Sequence, residues 1–410
     1  MVIAGVDGPR LLRRLGEVAQ IGADAGAVTR LAWTAEERQA HEQVAEWARQ
    51  AGATVVVDAA GSLIAERPGT DPGLALVTGS HLDTVVRGGR LDGAYGVVAG
   101  IEVMASLEEA GTRLRHPLRV VAYSNEEGVM APPFTGSRAV IGAVTDAELG
   151  AVGPDGRTLA DRLRAAGGDP AGLRDAAWSS PVAATVELHI EQGPVLDTAA
   201  IPIGVVTAIT GQRRGVIRVT GAANHAGTTP MTHRRDALVV AAHIVLAIEE
   251  LALAGAADVA TVGFLEARPN VANVIAGEVE LSFDVRAADD ADGDAAIKEL
   301  QGRLAAIAAS TATEVSCEPL PATPAVATDP RLRAMIAAAA AARDLRSVEL
   351  PSGAGHDTAH LARLGPVAMI FVPSTGGVSH QAAESTTPEA LVRGADVLLD
   401  VLCRADAELP

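Results

Sequence analysis

The chain has 410 residues, 48% hydrophobic but only 2% aromatic, and a formal net charge of −18. That length allows two domains, whose cores must be filled by Ala, Val and Leu rather than by rings. The negative balance argues against nucleic acid as a partner, because neutralising phosphates needs basic surface.

Arg10, Arg13, Arg14 and Glu17 interrupt the first apolar residues, so no signal peptide is visible, and no run of about 20 apolar residues marks a membrane span. A cytoplasmic protein is the expectation. Cys317 and Cys403 lie in unrelated segments and belong to no motif, which suits a reducing interior. Thr34-Ala35-Glu36-Glu37 has the pattern of a capping box and opens an early helix.

Residues 74–78 read as a buried strand, and the Gly79-Ser80 break after them places His81 at the strand's carboxyl end, where open α/β sheets hold ligands. His81 and Asp83, two apart in extended chain, point the same way, so the carboxylate can orient the imidazole or join it. With Asp92, in Leu91-Asp92-Gly93, His81 begins a metal-ligand set. Residues 118–123 form a second strand-like run that ends in Ser124-Asn125-Glu126-Glu127-Gly128. Adjacent glutamates can divide labour, one ligating a metal while its neighbour stays free as a general base. Residues 185–188 lead into His189-Ile190-Glu191-Gln192-Gly193, and residues 367–372 are followed by a Gly-rich turn and Val378-Ser379-His380. Helical segments between these strands imply a parallel sheet that gathers the four polar ends along one edge. His and carboxylate ligands suit zinc, manganese, cobalt or nickel. Two such ions, roughly 3.5–4 Å apart, can activate a shared water and polarise a carbonyl, help that an amide or ureido carbon needs.

The middle of the chain has another rhythm. Residues 215–221 alternate like a half-exposed strand and precede a turn-rich loop, Asn224-His225-Ala226-Gly227-Thr228-Thr229-Pro230. A long helix over 231–255 follows, then strands at 260–265 and 278–286, a helix over 295–309 and a strand at 314–318. This order predicts a small α+β domain, 211–325, inserted into a larger α/β domain made of 1–210 and 326–410. His41, His116, His233, His243 and His360 are read as surface or helix residues, and Arg213-Arg214 and Arg234-Arg235 as solvated pairs. Residues 337–342 are good helix formers.

The segments GSHLDTVVRGGRLDG, NEEG, ELHIEQGPVLD, NHAGTTPM, RPNVANVIAGEVELSFDVR, SGAGHD and GGVSH, in order from about Leu74 to Glu384, together resemble the dinuclear-metal amidohydrolases of the M20 peptidase superfamily. The branch is that of allantoate amidohydrolases, N-carbamoyl-L-amino-acid hydrolases and β-ureidopropionases. The resemblance implies a metallopeptidase-like catalytic domain with a central mixed, mostly parallel sheet, and an inserted domain that serves as lid and homodimer contact. It implies two divalent cations per subunit, Zn²⁺ or Mn²⁺ with Co²⁺ and Ni²⁺ as options, bridged by Asp92. His81 and His189 complete one site, Glu127 and His380 the other. Glu126 is then the general base and Asp83 the support for His81. The resemblance also sends His225 towards a metal site, usually the partner subunit's, to steady the oxyanion. Gln192, Asn273 and Arg286 would grip the carboxylate and amide groups of a small anionic substrate, Arg286 by a two-point hold. His356 and Asp357 in SGAGHD would shape the pocket.

One departure stands out: relatives often follow Glu-Glu-Gly with Arg-Phe, whereas this chain continues Val129-Met130-Ala131-Pro132-Pro133-Phe134. The expected activity is hydrolysis of a non-peptide carbon–nitrogen bond in a ureido or carbamoyl acid. Allantoate is ranked first, giving ammonia, CO2 and ureidoglycine, then N-carbamoyl-L-amino acids or β-ureidopropionate, then peptidase or aminoacylase chemistry. A metal-binding sensor without catalysis is the alternative of another class, opposed by the presence of Glu126.

Overall fold

The computed structural model describes residues 5–71, 73–174 and 176–410. The chain divides into two compact units, one of residues 1–207, 328–350 and 355–410, the other of residues 208–327 and 351–354.

The larger unit is built on a mixed sheet. Its four middle strands, Leu118–Tyr123, Leu76–His81, Ala184–Ile190 and Val367–Val372, run parallel. The sheet is mixed, as expected, but the parallel part is confined to those four. Leu63–Arg67 and Thr54–Val57 continue it antiparallel on one side and Ile203–Ile209 on the other. All residues of the four middle strands are buried except Arg119. Burial along the whole strand is what cover on both faces produces.

Two of the four strands match the sequence reading; the one read over 74–78 lies further along the chain, at Leu76–His81, and the one read over 185–188 extends at both ends. The Gly79-Ser80 break lies inside the strand rather than after it, so His81 is the strand's last residue. Gly79 has φ of 138°, and a Cβ there would lie 2.0 Å from the Val121 carbonyl oxygen. The residue read as punctuation is therefore what lets the neighbouring strand approach. His189 likewise lies within its strand, Ala184–Ile190.

Helix Ala94–Glu109 is buried on every side as far as Leu107, with helices Gly8–Gln20, Ala35–Gln50 and Pro388–Glu408 packed against it. Its one buried charge, Glu102, is fully enclosed and held by Arg10 and Arg14 of the first helix. Thr34 caps helix Ala35–Gln50 by accepting the Glu37 N–H, but the expected reciprocal bond is redirected: Glu37 accepts from the Trp33 N–H. The helix predicted at 337–342 is the end of Pro330–Ala342.

The smaller unit holds a five-stranded antiparallel sheet in which Gly211–Thr220 and Glu278–Ala287 pair over ten positions. Ile217, Val219, Val279, Leu281, Phe283 and Val285 alternate inward beneath helices Ala237–Leu253 and Asp290–Thr311. Two expectations need correction. The helix read from 231 starts only at Ala237, where Asp236 accepts from the Leu238 and Val239 N–H groups; residues Met231–His233 make a separate 3₁₀ turn behind Pro230. The strand read over 260–265 is two, Val259–Thr261 and Leu265–Arg268, both on Glu278–Ala287. Apolar side chains at 262 and 264 hid the break. Among the described residues, no helix is long and apolar enough to cross a membrane.

Gly79→Ala should lower the urea midpoint of the larger unit, at a cost on the order of 3 kcal/mol, because the added carbon meets main chain that cannot move aside.

Candidate metal centre

The parallel strands bring His81 and His189 to one end of the larger unit's sheet, and the loop after Leu118–Tyr123 adds Glu126 and Glu127. Asp92 precedes Gly93, the N-cap of helix Ala94–Glu109, and His380 follows the Val367–Val372 strand on a left-handed backbone with φ of 58°. Asp92 Oδ1 lies 3.2 Å from His189 Nε2 and 3.7 Å from His81 Nε2. Its other oxygen, Oδ2, lies 3.0 Å from His380 Nε2, which is 3.6 Å from Glu127 Oε2. Two donor triads thus share Asp92: His81, Asp92 and His189 form one, and Asp92, Glu127 and His380 the other.

The tautomers suit metal binding. His81 Nδ1 is 2.9 Å from the Asp83 carbonyl oxygen and His189 Nδ1 is 2.8 Å from that of Ile190. A carbonyl can only accept, so each Nδ1 carries hydrogen and each Nε2 faces Asp92. Charge points the same way. Asp92, Glu126 and Glu127 have histidines as their ion-pair partners, and among the described residues no Lys or Arg is paired with them. Carboxylates buried this closely need cations, and a set of three imidazoles and carboxylates offers the donors that divalent ions take.

Without ions, protons do that work. Burial opposes charging of His189, but Asp92 prevails and raises its pKa to about 9. The Asp92 hydrogen bond lifts His380 to about 9 as well. Asp92 itself is held well below the usual carboxylate range, against its burial, by hydrogen bonds from His189 and His380. Burial, then Asp357 and Glu127, pushes Glu126 well above the carboxylate range, and burial raises Glu127 to about 7.

Asp83 stands beside His81, its Oδ1 3.8 Å from His81 Nδ1. Its main-chain carbonyl steadies His81, while its carboxylate accepts the N–H groups of Glu126 and Glu127, each at 3.2 Å. It therefore fixes the glutamate turn, which Asn125 also pins through its Nδ2 bond to the Pro132 carbonyl. Glu126 Oε2 is 3.7 Å from His81 Nε2, inside the cluster. Gln192 donates to Asp92 Oδ2 at 2.9 Å.

His225, Asn273 and Arg286 belong to the smaller unit. His225 and Asn273 are exposed and brought together, because Asn224–His225 pairs with Val274–Ile275 and the Ala226 N–H donates to the Asn273 carbonyl. Arg286 forks onto Asp284, and its remaining nitrogen donates to the Gly353 carbonyl.

Several histidines and arginines set aside in the sequence have defined partners. His116 is buried in a loop, bonded to Asp406 and to the Pro410 carbonyl, so it is neither a surface nor a helix residue. Arg213 pairs with Asp290 and Asp294 rather than with solvent, and Arg234 holds the His225 loop through the Ala226 and Thr229 carbonyls. His356 is buried edge-on to His189 at 4.8 Å between ring centres. The sequence reading missed Glu187, which is buried below the site and accepts from the Ser80 hydroxyl and the Thr358 N–H. A charged residue inside an otherwise apolar strand was its signal. It also missed Arg30, fully buried, whose guanidinium holds the Leu82 carbonyl between His81 and Asp83.

Residues 77–404 match the family model described as Peptidase family M20/M25/M40. The chain belongs to this family. It is 41% identical to the N-carbamoyl-L-amino acid amidohydrolase of Geobacillus stearothermophilus over 96% of this chain and 97% of that one. Identity to the allantoate amidohydrolase of Bacillus subtilis is 33%, over 94% of each. The crystal structure of an amidase of the hydantoinase/carbamoylase family from Burkholderia multivorans superposes with a TM-score of 0.92 at 38% identity, covering 98% of this chain and 99% of that one. This M20 protein is therefore an amidohydrolase of the hydantoinase/carbamoylase branch.

Because ligation needs neutral imidazoles, loading should release protons. Zn²⁺ affinity measured by chelator competition should rise roughly tenfold or more per pH unit from 6 to 8 and level off above about 9, where His189 and His380 are already neutral.

Proposed function

We propose that this M20 amidohydrolase holds two divalent ions on the triads that share Asp92 and removes the carbamoyl group of a small N-carbamoyl or ureido acid. The observation that carries the reading is one carboxylate, Asp92, facing two imidazoles through one oxygen and a third through the other, with Glu126 beside them. When bound, such a pair of ions supplies Lewis acidity, polarising the carbonyl and making an attacking water more acidic.

The chain's own residues supply the rest. Glu126 takes a proton from the attacking water and hands it to the departing nitrogen. Burial among carboxylates raises its proton affinity, and ions beside it would lower that affinity enough to leave it ionised for the first task. Asp83 keeps Glu126 and Glu127 apart in their tasks by holding both main-chain amides. The products from an N-carbamoyl amino acid are the free amino acid, CO2 and ammonia.

The substrate ranking inverts the order drawn from the motifs. We place N-carbamoyl-L-amino acids first, on 41% identity to an enzyme named for them against 33% for the allantoate enzyme, with allantoate second. Following the family pattern, Gln192, Asn273 and Arg286 recognise the substrate's carboxylate and amide groups, and His225 steadies the oxyanion. Arg286 must trade its fork on Asp284 for the substrate's carboxylate. The smaller unit also carries the features of a homodimer contact: helix Ala237–Leu253 exposes Val239, Leu246 and Leu253 beside the edge strand Val259–Thr261.

Four measurements test this. Protein loaded with Mn²⁺ or Zn²⁺ should release ammonia from N-carbamoyl-L-amino acids faster than from allantoate or N-carbamoyl-β-alanine; release from none of them sinks the reading. Glu126→Gln should lower kcat by about a thousandfold or more while metal content stays at the wild-type level; a sensor's ligand affinity would barely respond. Arg286→Ala should raise KM by about tenfold or more, and Leu246→Asp should shift the sedimentation coefficient from dimer to monomer.

A further inference from the structure

Glu384 was not singled out by its sequence, yet it is 2% exposed and aimed at the metal centre from a segment 292 residues away from Asp92. It lies between the Val367–Val372 strand and helix Pro388–Glu408. Its Oε1 accepts two main-chain N–H groups, those of Leu91 at 2.8 Å and Asp92 at 3.1 Å. Its Oε2 accepts from the Ser379 hydroxyl at 2.9 Å. That hydroxyl is also 3.2 Å from Asp92 Oδ2, and Ser379 is the residue before His380.

The approach is made possible by the loop opposite. A Cβ on Gly89 would lie 2.0 Å from the Glu384 carboxyl carbon, so the glycine leaves the space the carboxylate fills. No flexible cation is involved; the three donors are two amides and a hydroxyl, each fixed by the chain. A carboxylate is suited to this because it only accepts and can serve three donors at once.

We propose that Glu384 is a positioning residue of the metal centre, binding the Leu91–Asp92 main chain and the Ser379–His380 segment into one rigid element so that Asp92 and His380 stay in ligating register. The proposal rests on the metal-centre reading above. Asp92 serves both triads and His380 one of them, so losing the tether loosens ligands on both sides of the centre. Neither residue has another comparably buried carboxylate spanning both segments among the described hydrogen bonds. Groups that orient ligands in this way typically contribute 10–100-fold to metal affinity.

The test uses the full chain, Zn²⁺ and a chromophoric chelator, with the urea midpoint of each metal-free protein as the folding control. Glu384→Ala should weaken Zn²⁺ binding by about 10–100-fold. Glu384→Gln keeps one oxygen for both amides and can donate from its nitrogen to Ser379, so it should restore affinity to within about threefold of wild type. Ser379→Ala should fall between the two. If Glu384→Ala does not fold, Gly89→Ala, which displaces the carboxyl group without removing it, should reproduce the loss. Wild-type affinity in Glu384→Ala or Gly89→Ala overturns the tether, as does an equal loss in the Ala and Gln variants. Failure of the wild-type protein to hold Zn²⁺ overturns instead the metal-centre reading beneath it.

Discussion

Four carboxyl groups, those of Asp83, Asp92, Glu126 and Glu127, are crowded into one buried neighbourhood with imidazoles as their countercharge. Like charges out of water repel strongly, and a fold tolerates them only where something positive is supplied. The surrounding architecture follows from that constraint. Parallel strands deliver the histidines, Asp83 and Asn125 spend side-chain bonds on the turn that presents the glutamates, and both inner histidines anchor Nδ1 on main-chain carbonyls so that Nε2 faces inward. In the absence of ions, protons on His189 and His380 supply the countercharge.

The same constraint separates function from mere stability. A protein built only to persist would replace such a cluster with hydrocarbon, since well-packed apolar groups are as stabilising as a buried ion pair or more so. Here the larger unit has hydrocarbon in plenty: helix Ala94–Glu109 and strands Leu118–Tyr123 and Val367–Val372 are mostly apolar. The charges are concentrated at one end of the sheet, where open α/β folds carry out their chemistry.

What the sequence made legible was what periodicity and strand termination encode. Strands Leu118–Tyr123 and Val367–Val372 were read to the residue because a buried parallel strand is an unbroken apolar run with a sharp polar end. The residues that cluster at those ends were legible for the same reason. Direction was not: Asp83 stands 3.8 Å from the His81 ring, yet its carboxylate also accepts from amides more than 40 residues distant. Glu187, Arg30 and Glu384 act across even longer separations, and nothing local in the chain announces a partner brought near only by folding. In the smaller unit, Ala, Val and Leu suit helix and strand alike, so the start of the Ala237–Leu253 helix was set by Asp236 rather than by the apolar pattern.

The salt bridge around Glu102 bears on how the opening helix should be regarded. Glu102 lies at the centre of a hydrocarbon layer, and its charge is answered by Arg10 and Arg14 from helix Gly8–Gln20. That helix is therefore no decorative appendage but a built-in counterion, delivered by the chain instead of by solvent. Trimming those residues to make a shorter protein would leave a bare carboxylate stranded in oil, a penalty of about 3–5 kcal/mol, felt in the same helix whose first turn adjoins Asp92.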